Sequence, residues 1–186
     1  MKVTAVAGQC TSRVRSPLEI TGSGTTVPAA IEQRSVIAAS PEEIWRRIVT
    51  LDGINHELMP FVQMTTPRAM AGKVSSEIRP GDRLGKSWLL LFGVLPFDYD
   101  DIVVSEIQHP CRFRETSTMG SLRVWEHERT LRPTAGGTEI IDRVTFELRA
   151  PLSMIPGLRS LVASAVSRLF SHRHRRLADW FAKQDP

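Results

Sequence analysis

The stretch RVWEHERTLRPTAGGTEIIDRVTFEL, residues 123–148, contains two segments of alternating sequence separated by a turn. Alternation with a period of two is typical of β-strands, and the Gly136–Gly137 pair predicts a turn between them. Strands that follow each other this closely pair in the antiparallel sense, because parallel strands need a long crossover. The stretch therefore predicts a β-hairpin.

The second segment of this hairpin has one apolar face with a single charge on it. Ile140, Val144, Phe146 and Leu148 share this face, and Asp142 lies among them. A carboxylate on a buried face is unfavourable unless it is paired or hydrogen-bonded. We therefore expect the facing strand to provide a partner for Asp142.

The first segment has a face of mixed character, which carries Trp125, His127, Arg129 and Leu131. A register that places Leu131 opposite Thr138 also places His127 opposite Asp142 and Arg129 opposite Ile140. A shift by one residue would instead set Glu128 beside Asp142, with two like charges on a buried surface. The first register is favoured, and it predicts a His127–Asp142 pair inside the domain.

Two helix signals follow a first strand at residues 29–39, in which Ile31, Gln33, Ser35 and Ile37 share a face. In SPEEIWRRIVTL, residues 40–51, a serine N-cap and a glutamate three residues later form a capping box. The Asp52–Gly53 pair predicts the end of this helix, and INHELMPF, residues 54–61, predicts a second short helix.

The middle of the chain is rich in β-compatible residues, and the end has a helical period. Strands are predicted in residues 81–93, 99–108 and 111–119, which are bounded by Gly and Pro. Apolar residues then recur at three- and four-residue steps from Leu158 to Phe181, so one long amphipathic helix closes the chain. The arginines between these apolar positions predict a solvated helix face.

This order predicts an α+β fold, with a curved antiparallel β-sheet wrapped around a long C-terminal helix and two short helices after the first strand. Residues 1–25 are rich in Ser, Thr and Gly without a sustained period, which predicts a flexible N-terminal arm. Residues 26–184 are expected to form a single domain.

The order of elements resembles the START-like, or Bet v 1-like (SRPBCC), superfamily, in its polyketide cyclase/dehydrase and lipid-transport group. The similarity is carried by VIAASPEEIWRRIVTLDGINHELMP, residues 36–60, by GGTEIIDRVTFELRAPLSMIPGLRSL, residues 136–161, and by RVWEHERTL. A bacterial ligand-binding subgroup shows W-x-H-x-H-x-F on this last strand, where this chain has Arg129 and Leu131 in place of the second histidine and the aromatic residue. The resemblance implies a helix-grip domain with a cavity between sheet and helix.

We therefore expect the domain to bind a small hydrophobic molecule, such as a lipid, a polyketide or a quinone-like compound, as a carrier, sensor or sequestering protein. The residues expected to contact it are Trp88, Phe113, Glu115, Trp125, His127, Arg129, Asp142, Val144, Phe146, Val162, Val166 and Leu169. Arg129 either meets a ligand carboxylate or extends to the rim. One alternative is a cyclase or dehydratase with His127 as general acid/base, oriented by Asp142. Another is a partner-binding regulator.

Several other classes of function lack support in the sequence. The spacing of His172 and His174 points them to different sides of a helix without a third ligand, so no metal is expected. No dinucleotide or phosphate-binding loop indicates a cofactor, and no nucleic-acid motif accompanies the net charge of +4.

Cellular location and partners are only weakly indicated. Cys10 and Cys111 form no disulfide pattern, which together with the lack of a signal peptide predicts a cytoplasmic protein. The basic stretch near the C-terminus and LLLFGVLPF, residues 89–97, predict a transient contact with a membrane surface. The oligomeric state stays open.

Overall fold

The computed structural model describes residues 28–67 and 78–184. Seven antiparallel strands form one curved sheet in the order β1-β7-β6-β5-β4-β3-β2. The strands are β1 Ala29–Ile37, β2 Val62–Met64, β3 Arg83–Leu91, β4 Leu95–Gln108, β5 Arg112–Met119, β6 Leu122–Thr134 and β7 Gly137–Leu148. The helices are α1 Pro41–Ile48, α2 Leu51–Leu58 and α3 Leu158–Ala182, with a short 3₁₀ helix at Leu152–Met154.

The predicted α+β arrangement is confirmed, with two short helices after the first strand and a long helix at the end. Strands β3 to β7 form an antiparallel meander, and β1 pairs with the free edge of β7. The short strand β2 was not predicted from the sequence. The predicted N-terminal arm, residues 1–25, lies outside the described residues.

The start of α1 follows the predicted capping box. The backbone N–H of Glu43 donates to the Ser40 hydroxyl, and the Glu43 carboxylate accepts from the Ser40 backbone N–H at 2.9 Å. Both bonds satisfy donors that a helix N-terminus leaves unpaired. The helix then buries Ile44, Trp45 and Ile48 against the sheet.

The predicted break at Asp52–Gly53 is wrong, because both residues belong to the first turn of α2. Thr50 caps this helix, and its hydroxyl accepts the backbone N–H of Gly53 at 3.0 Å. A Cβ at Gly53 would lie 1.9 Å from the Arg47 carbonyl oxygen. The glycine therefore allows α2 to begin immediately after α1, instead of ending the preceding helix.

The β6–β7 hairpin differs from the predicted register by two residues. Leu131 lies opposite Ile140, and Arg129, not His127, lies opposite Asp142. The turn is centred one residue later than predicted, because pairing continues to Thr134 and Gly137 and leaves Ala135 and Gly136 as the two-residue loop. Since side chains alternate with a period of two, a shift by two leaves every residue on its predicted face.

The buried residues of α3 all lie in its second half, contrary to the prediction of a continuous apolar stripe. Its buried residues are Phe170, Arg173, His174 and Leu177, whereas Leu161 is 66% exposed. The helix packs against β1 and α2. The arginine was expected on a solvated face, but both it and His174 are buried.

We predict that Gly53→Ala lowers the free energy of unfolding by about 2–4 kcal/mol, because the added Cβ displaces the connection between α1 and α2. Urea unfolding of the purified variants measures this change. Gly136→Ala is the matched control, since a Cβ there has no atom within 4 Å. An equal effect of both substitutions would contradict the steric explanation.

Candidate functional site

A buried arginine lies at the centre of the interior. Arg129 is 1% exposed and makes two bidentate contacts with carboxylates. Its Nε and Nη2 donate to the two oxygens of Asp142 at 2.7 and 2.6 Å, and its Nη1 and Nη2 donate to the two oxygens of Glu57 at 3.1 Å each. Bidentate pairing of this kind gives strong, directional hydrogen bonds.

The same cluster joins the sheet to both helices. Glu57 lies on α2, and its carboxylate also accepts from Arg173 Nε of α3 at 3.1 Å. The Arg173 guanidinium lies 4.8 Å from the ring centroid of Phe170. Two cations and two carboxylates therefore occupy the space between sheet and helices, and their charges balance.

The predicted contact between His127 and Asp142 is present, although the two residues lie on a diagonal and not directly opposite. His127 Nε2 lies 3.0 Å from Asp142 Oδ1, and Nδ1 lies 3.2 Å from Glu115 Oε1. His174 Nε2 lies 2.9 Å from the other oxygen of Asp142, and its Nδ1 lies 2.7 Å from Ser35 Oγ. Three basic side chains thus surround one carboxylate.

The surroundings fix the charges of these groups. Burial by itself would raise the pKa of Asp142, but the charges of Arg129 and His127 outweigh it and lower this pKa well below its usual value. Burial would likewise lower the pKa of His127, but Asp142 and Glu115 raise it above its ordinary value. The imidazole of His127 therefore favours its protonated form, with each N–H directed at a carboxylate.

Most of the residues predicted to contact a ligand share the concave face. Phe113 lies 5.3 Å from His127 between ring centroids, and Val162 and Val166 pack from α3 against the cluster that contains Val144 and Phe146. Trp125, Glu115 and Leu169 are partly exposed. The structure therefore brings side chains of β5, β6, β7 and α3 to one interior.

Trp88 is an exception, and its predicted position is wrong. It lies opposite Tyr99 on the convex face of the sheet and is 53% exposed. Its strand neighbours explain this orientation, because Ser87 lies on the buried face and β-strand side chains alternate. Arg129 is also not at the rim, since it is buried and all three of its guanidinium nitrogens donate to two carboxylates.

The sequence interpretation missed a second polar group of the concave face. Asp100 and Ser117 are only 5% and 7% exposed, yet Asp100 Oδ1 and Ser117 Oγ have no hydrogen-bond partner. Burial and then the charge of Glu115 raise the pKa of Asp100 to about 7, although the nearby hydroxyl of Ser117 opposes this shift. Alternation could have revealed Asp100, because it shares a face with Ile102 and Val104.

Glu57, Arg173 and His174 were also missed, and no sequence pattern identifies them. Glu57 is 116 residues from Arg173 and 72 from Arg129, and His174 is 32 residues from Asp142, so the contacts depend on how α2 and α3 pack on the sheet. An open groove of about 650 Å³ lies elsewhere, between α1 and the end of α3, next to Arg46 and Trp180. None of the residues predicted to contact a ligand lines this groove.

Cysteine usage also differs from the prediction. Cys111, in the turn between β4 and β5, is disulfide-bonded. The expectation of unpaired cysteines is therefore wrong for this residue. Cysteine usage thus no longer supports a reducing compartment. A cytoplasmic location stays a prediction. Among the helices of the described ranges, none is long and apolar enough to cross a membrane.

We predict that Arg129→Met lowers the free energy of unfolding by about 3–5 kcal/mol or prevents folding, because it leaves two buried carboxylates without their shared cation. Chemical unfolding monitored by circular dichroism measures the effect. Arg123→Met is the control on the same strand, since its pair with Glu147 is exposed on the arginine side. We expect it to cost about 1 kcal/mol or less.

We predict that Asp100→Asn raises the free energy of unfolding at pH 8 by about 1–3 kcal/mol and leaves it unchanged at pH 4. The raised pKa means that the folded state holds this proton more tightly than the unfolded chain does. The contribution of protonated Asp100 to the stability of the folded state is therefore complete below the pKa of the unfolded chain. It is lost as the pH rises through about 7. Asparagine does not titrate.

The control for this substitution is Asp101→Asn. The neighbouring Asp101 carboxylate pairs with Arg83, and this contact lowers its pKa. Unfolding in urea at both pH values compares the two variants. A gain at pH 8 in the control, or no gain in Asp100→Asn, would contradict the assignment.

Comparison with known proteins identifies a sequence family and solved structures with a similar fold. The sequence family described as a domain of unknown function, DUF8410, matches residues 35–181. A search of curated protein sequences gave no match. Among solved structures, protein CV1439 from Chromobacterium violaceum is similar at 17% identity with a TM-score of 0.61, over 82% of this chain and 96% of that protein.

Two further structures share the fold at low identity. A START superfamily protein from Mycobacterium smegmatis has 13% identity and a TM-score of 0.59, over 83% of this chain and 98% of that protein. DynU16, from the dynemicin biosynthetic locus, has 15% identity and a TM-score of 0.54, over 84% of this chain but 48% of its own length. The predicted START-like fold is confirmed, and the chain belongs to the DUF8410 family.

Proposed function

We propose that this domain binds a small, largely apolar molecule between the concave face of β3–β6 and the first half of α3. The observation that carries the proposal is the incomplete burial of this half of the helix. Val162 and Val166 are only partly buried, as are Leu89 and Trp125 on the facing strands, although all four pack against the core. Apolar surface that faces inward without being fully covered favours occupation by an apolar ligand.

The polar groups of the interior fit a binding role. Ligand sites in proteins are mostly apolar and carry a few polar groups that orient the ligand. Here the ion cluster around Arg129 closes one half of the interior, while Asp100 and Ser117 leave polar atoms without partners in the other half. A carrier, a sensor or a sequestering protein uses such a site without chemistry.

The enzymatic alternative, with His127 as general acid/base, has less support. A general base needs a free nitrogen within hydrogen-bond reach of its substrate. Both ring nitrogens of His127 contact carboxylates, those of Glu115 and Asp142. This arrangement favours a structural role for the imidazole.

We also propose a transient contact with a lipid surface through the β3–β4 hairpin tip. Phe92, Val94, Leu95 and Phe97 are all more than half exposed in this tip. Exposed apolar patches of this kind mark protein or membrane interaction sites. The tip lies beside Phe61, whose backbone carbonyl accepts from Phe92 N–H at 2.9 Å.

Ligand binding is tested by native mass spectrometry of the purified protein and by titration with the neutral dye Nile red. We expect Val166→Glu to weaken dye binding at least about tenfold, because a carboxylate enters the apolar site. Ser164→Glu, on an exposed face of the same helix, should leave it unchanged. Failure of the wild-type protein to bind the dye or to carry any small molecule would refute the proposal.

The hairpin contact is tested by flotation with vesicles that contain phosphatidylserine. We expect Val94→Ser to weaken binding about tenfold, because it removes a side chain that would enter the lipid. Val36→Ser makes the same chemical change at an exposed site on β1. Equal losses in both variants, or no binding of the wild-type protein, would argue for a protein partner or for no partner at the tip.

A further inference from the structure

We propose that Asp100, Ser117 and Glu115 bind the ammonium group of an otherwise apolar amine. This inference rests on the proposed ligand-binding function and names the chemical class of the ligand. It replaces the expectation that Arg129 would meet a ligand carboxylate, because all three nitrogens of that guanidinium donate to Asp142 and Glu57.

The pairing of β4 with β5 brings the three side chains together. Ser117 lies opposite Ile102, while Met119, two residues further on, lies opposite Asp100. Glu115 precedes Ser117 by two residues, so it projects from the same concave face. Ser117 therefore lies between the two carboxylates, within the distances typical of neighbouring and diagonal positions.

Two of these groups have polar atoms without partners. Ser117 is 7% exposed and Asp100 is 5% exposed, and neither Ser117 Oγ nor Asp100 Oδ1 has a hydrogen-bond partner of good geometry, although the Ser117 hydroxyl lies close enough to the Asp100 carboxylate to oppose the rise in its pKa. Buried polar atoms in native proteins almost always have a partner, because an unpaired one costs free energy. Both oxygens can accept a hydrogen bond, so a donor group on a ligand would satisfy them together.

The charges around Asp100 favour a cationic donor over a neutral one. Asp98 lies two residues away on the same face of β4, and Glu115 lies on β5, and the charges of both raise the pKa of Asp100. Both add negative charge, which His127 of β6 opposes, while Arg173 of α3 and Arg129 of β6 act on Glu115. The His127 imidazole is already shared between Glu115 and Asp142, so the surplus at Asp100 is negative.

An ammonium group matches this site both in its number of hydrogen-bond donors and in its positive charge. It has three donors, which correspond to the Asp100 carboxylate, the Ser117 hydroxyl and the Glu115 carboxylate. The apolar body of the amine would contact Met119 and Trp125, which adjoin Asp100 and Ser117 in the sheet. A carboxylate in the same position would meet like charges.

Binding of a cation at this position also depends on pH. The pKa of Asp100 is raised to about 7, so at lower pH this group is protonated and loses its charge. A bound ammonium favours the ionised carboxylate and therefore releases a proton from Asp100. We expect the affinity for an amine to rise several-fold between pH 5.5 and pH 8, where an aliphatic amine itself stays protonated.

The test is isothermal titration calorimetry with decylamine, decanol and decanoate, which share one apolar chain and differ in head group. We expect the wild-type protein at pH 8 to bind decylamine at least about tenfold more tightly than decanol, and decanoate least tightly. Asp100→Asn and Ser117→Ala should each reduce the preference for the amine and leave decanol binding nearly unchanged. Retained decanol binding shows that each variant is folded.

Asp101→Asn is the matched control, because it removes a neighbouring carboxylate that pairs with Arg83 on the opposite face. It should leave the amine preference intact. Equal affinity for the three compounds, or a preference for decylamine that Asp100→Asn does not change, would overturn the ammonium site and leave the proposed function standing. Binding of none of the three would instead overturn the proposed function and the site with it.

Discussion

The paired contacts of Arg129 with Asp142 and Glu57 are the constraint on which the rest of the interior depends. Burial of a guanidinium is costly, and the cost is offset only when every donor has an acceptor of suitable geometry. Asp142 lies on the neighbouring strand, whereas Glu57 lies on α2. Satisfying one side chain therefore fixes the β6–β7 register and the position of α2 on the sheet at the same time.

This constraint also explains why the hairpin register could not be read from the sequence. The pattern correctly identified the buried face of β7, because alternation depends only on neighbours in the chain. From the sequence, His127 was assigned as the partner of Asp142, because no other basic partner for this carboxylate was apparent. The observed register instead places Arg129 opposite Asp142, and Glu57 from α2 completes the pairing. A shift by two residues is invisible to alternation, so only the tertiary contact distinguishes the two registers.

Other elements show the same division between local and tertiary information. The capping box at Ser40 and the long final helix are local features, and both were predicted from sequence. The buried positions of Arg173 and His174 depend on contacts with Glu57 and Asp142, which arrive from distant parts of the chain. An arginine-rich helix face is usually solvated, and here it is buried only because acidic partners face it.

The balance of charges divides the interior into two parts. One is the ion cluster around Arg129, and the other contains Asp100 and Ser117. Arg129 and Arg173 pair with Glu57 and Asp142, and His127, whose pKa is raised by Asp142 and Glu115, contacts Glu115. Among the buried carboxylates of the described ranges, Asp98 is held by the backbone at Gly120 and Asp101 by Arg83. Asp100 is left with an oxygen that has neither a cation nor a hydrogen bond. In the described ranges, the cations around Asp142 and Glu57 are engaged by those carboxylates, and His127 is shared between Asp142 and Glu115, so a ligand that brings a cation would give Asp100 a partner of its own.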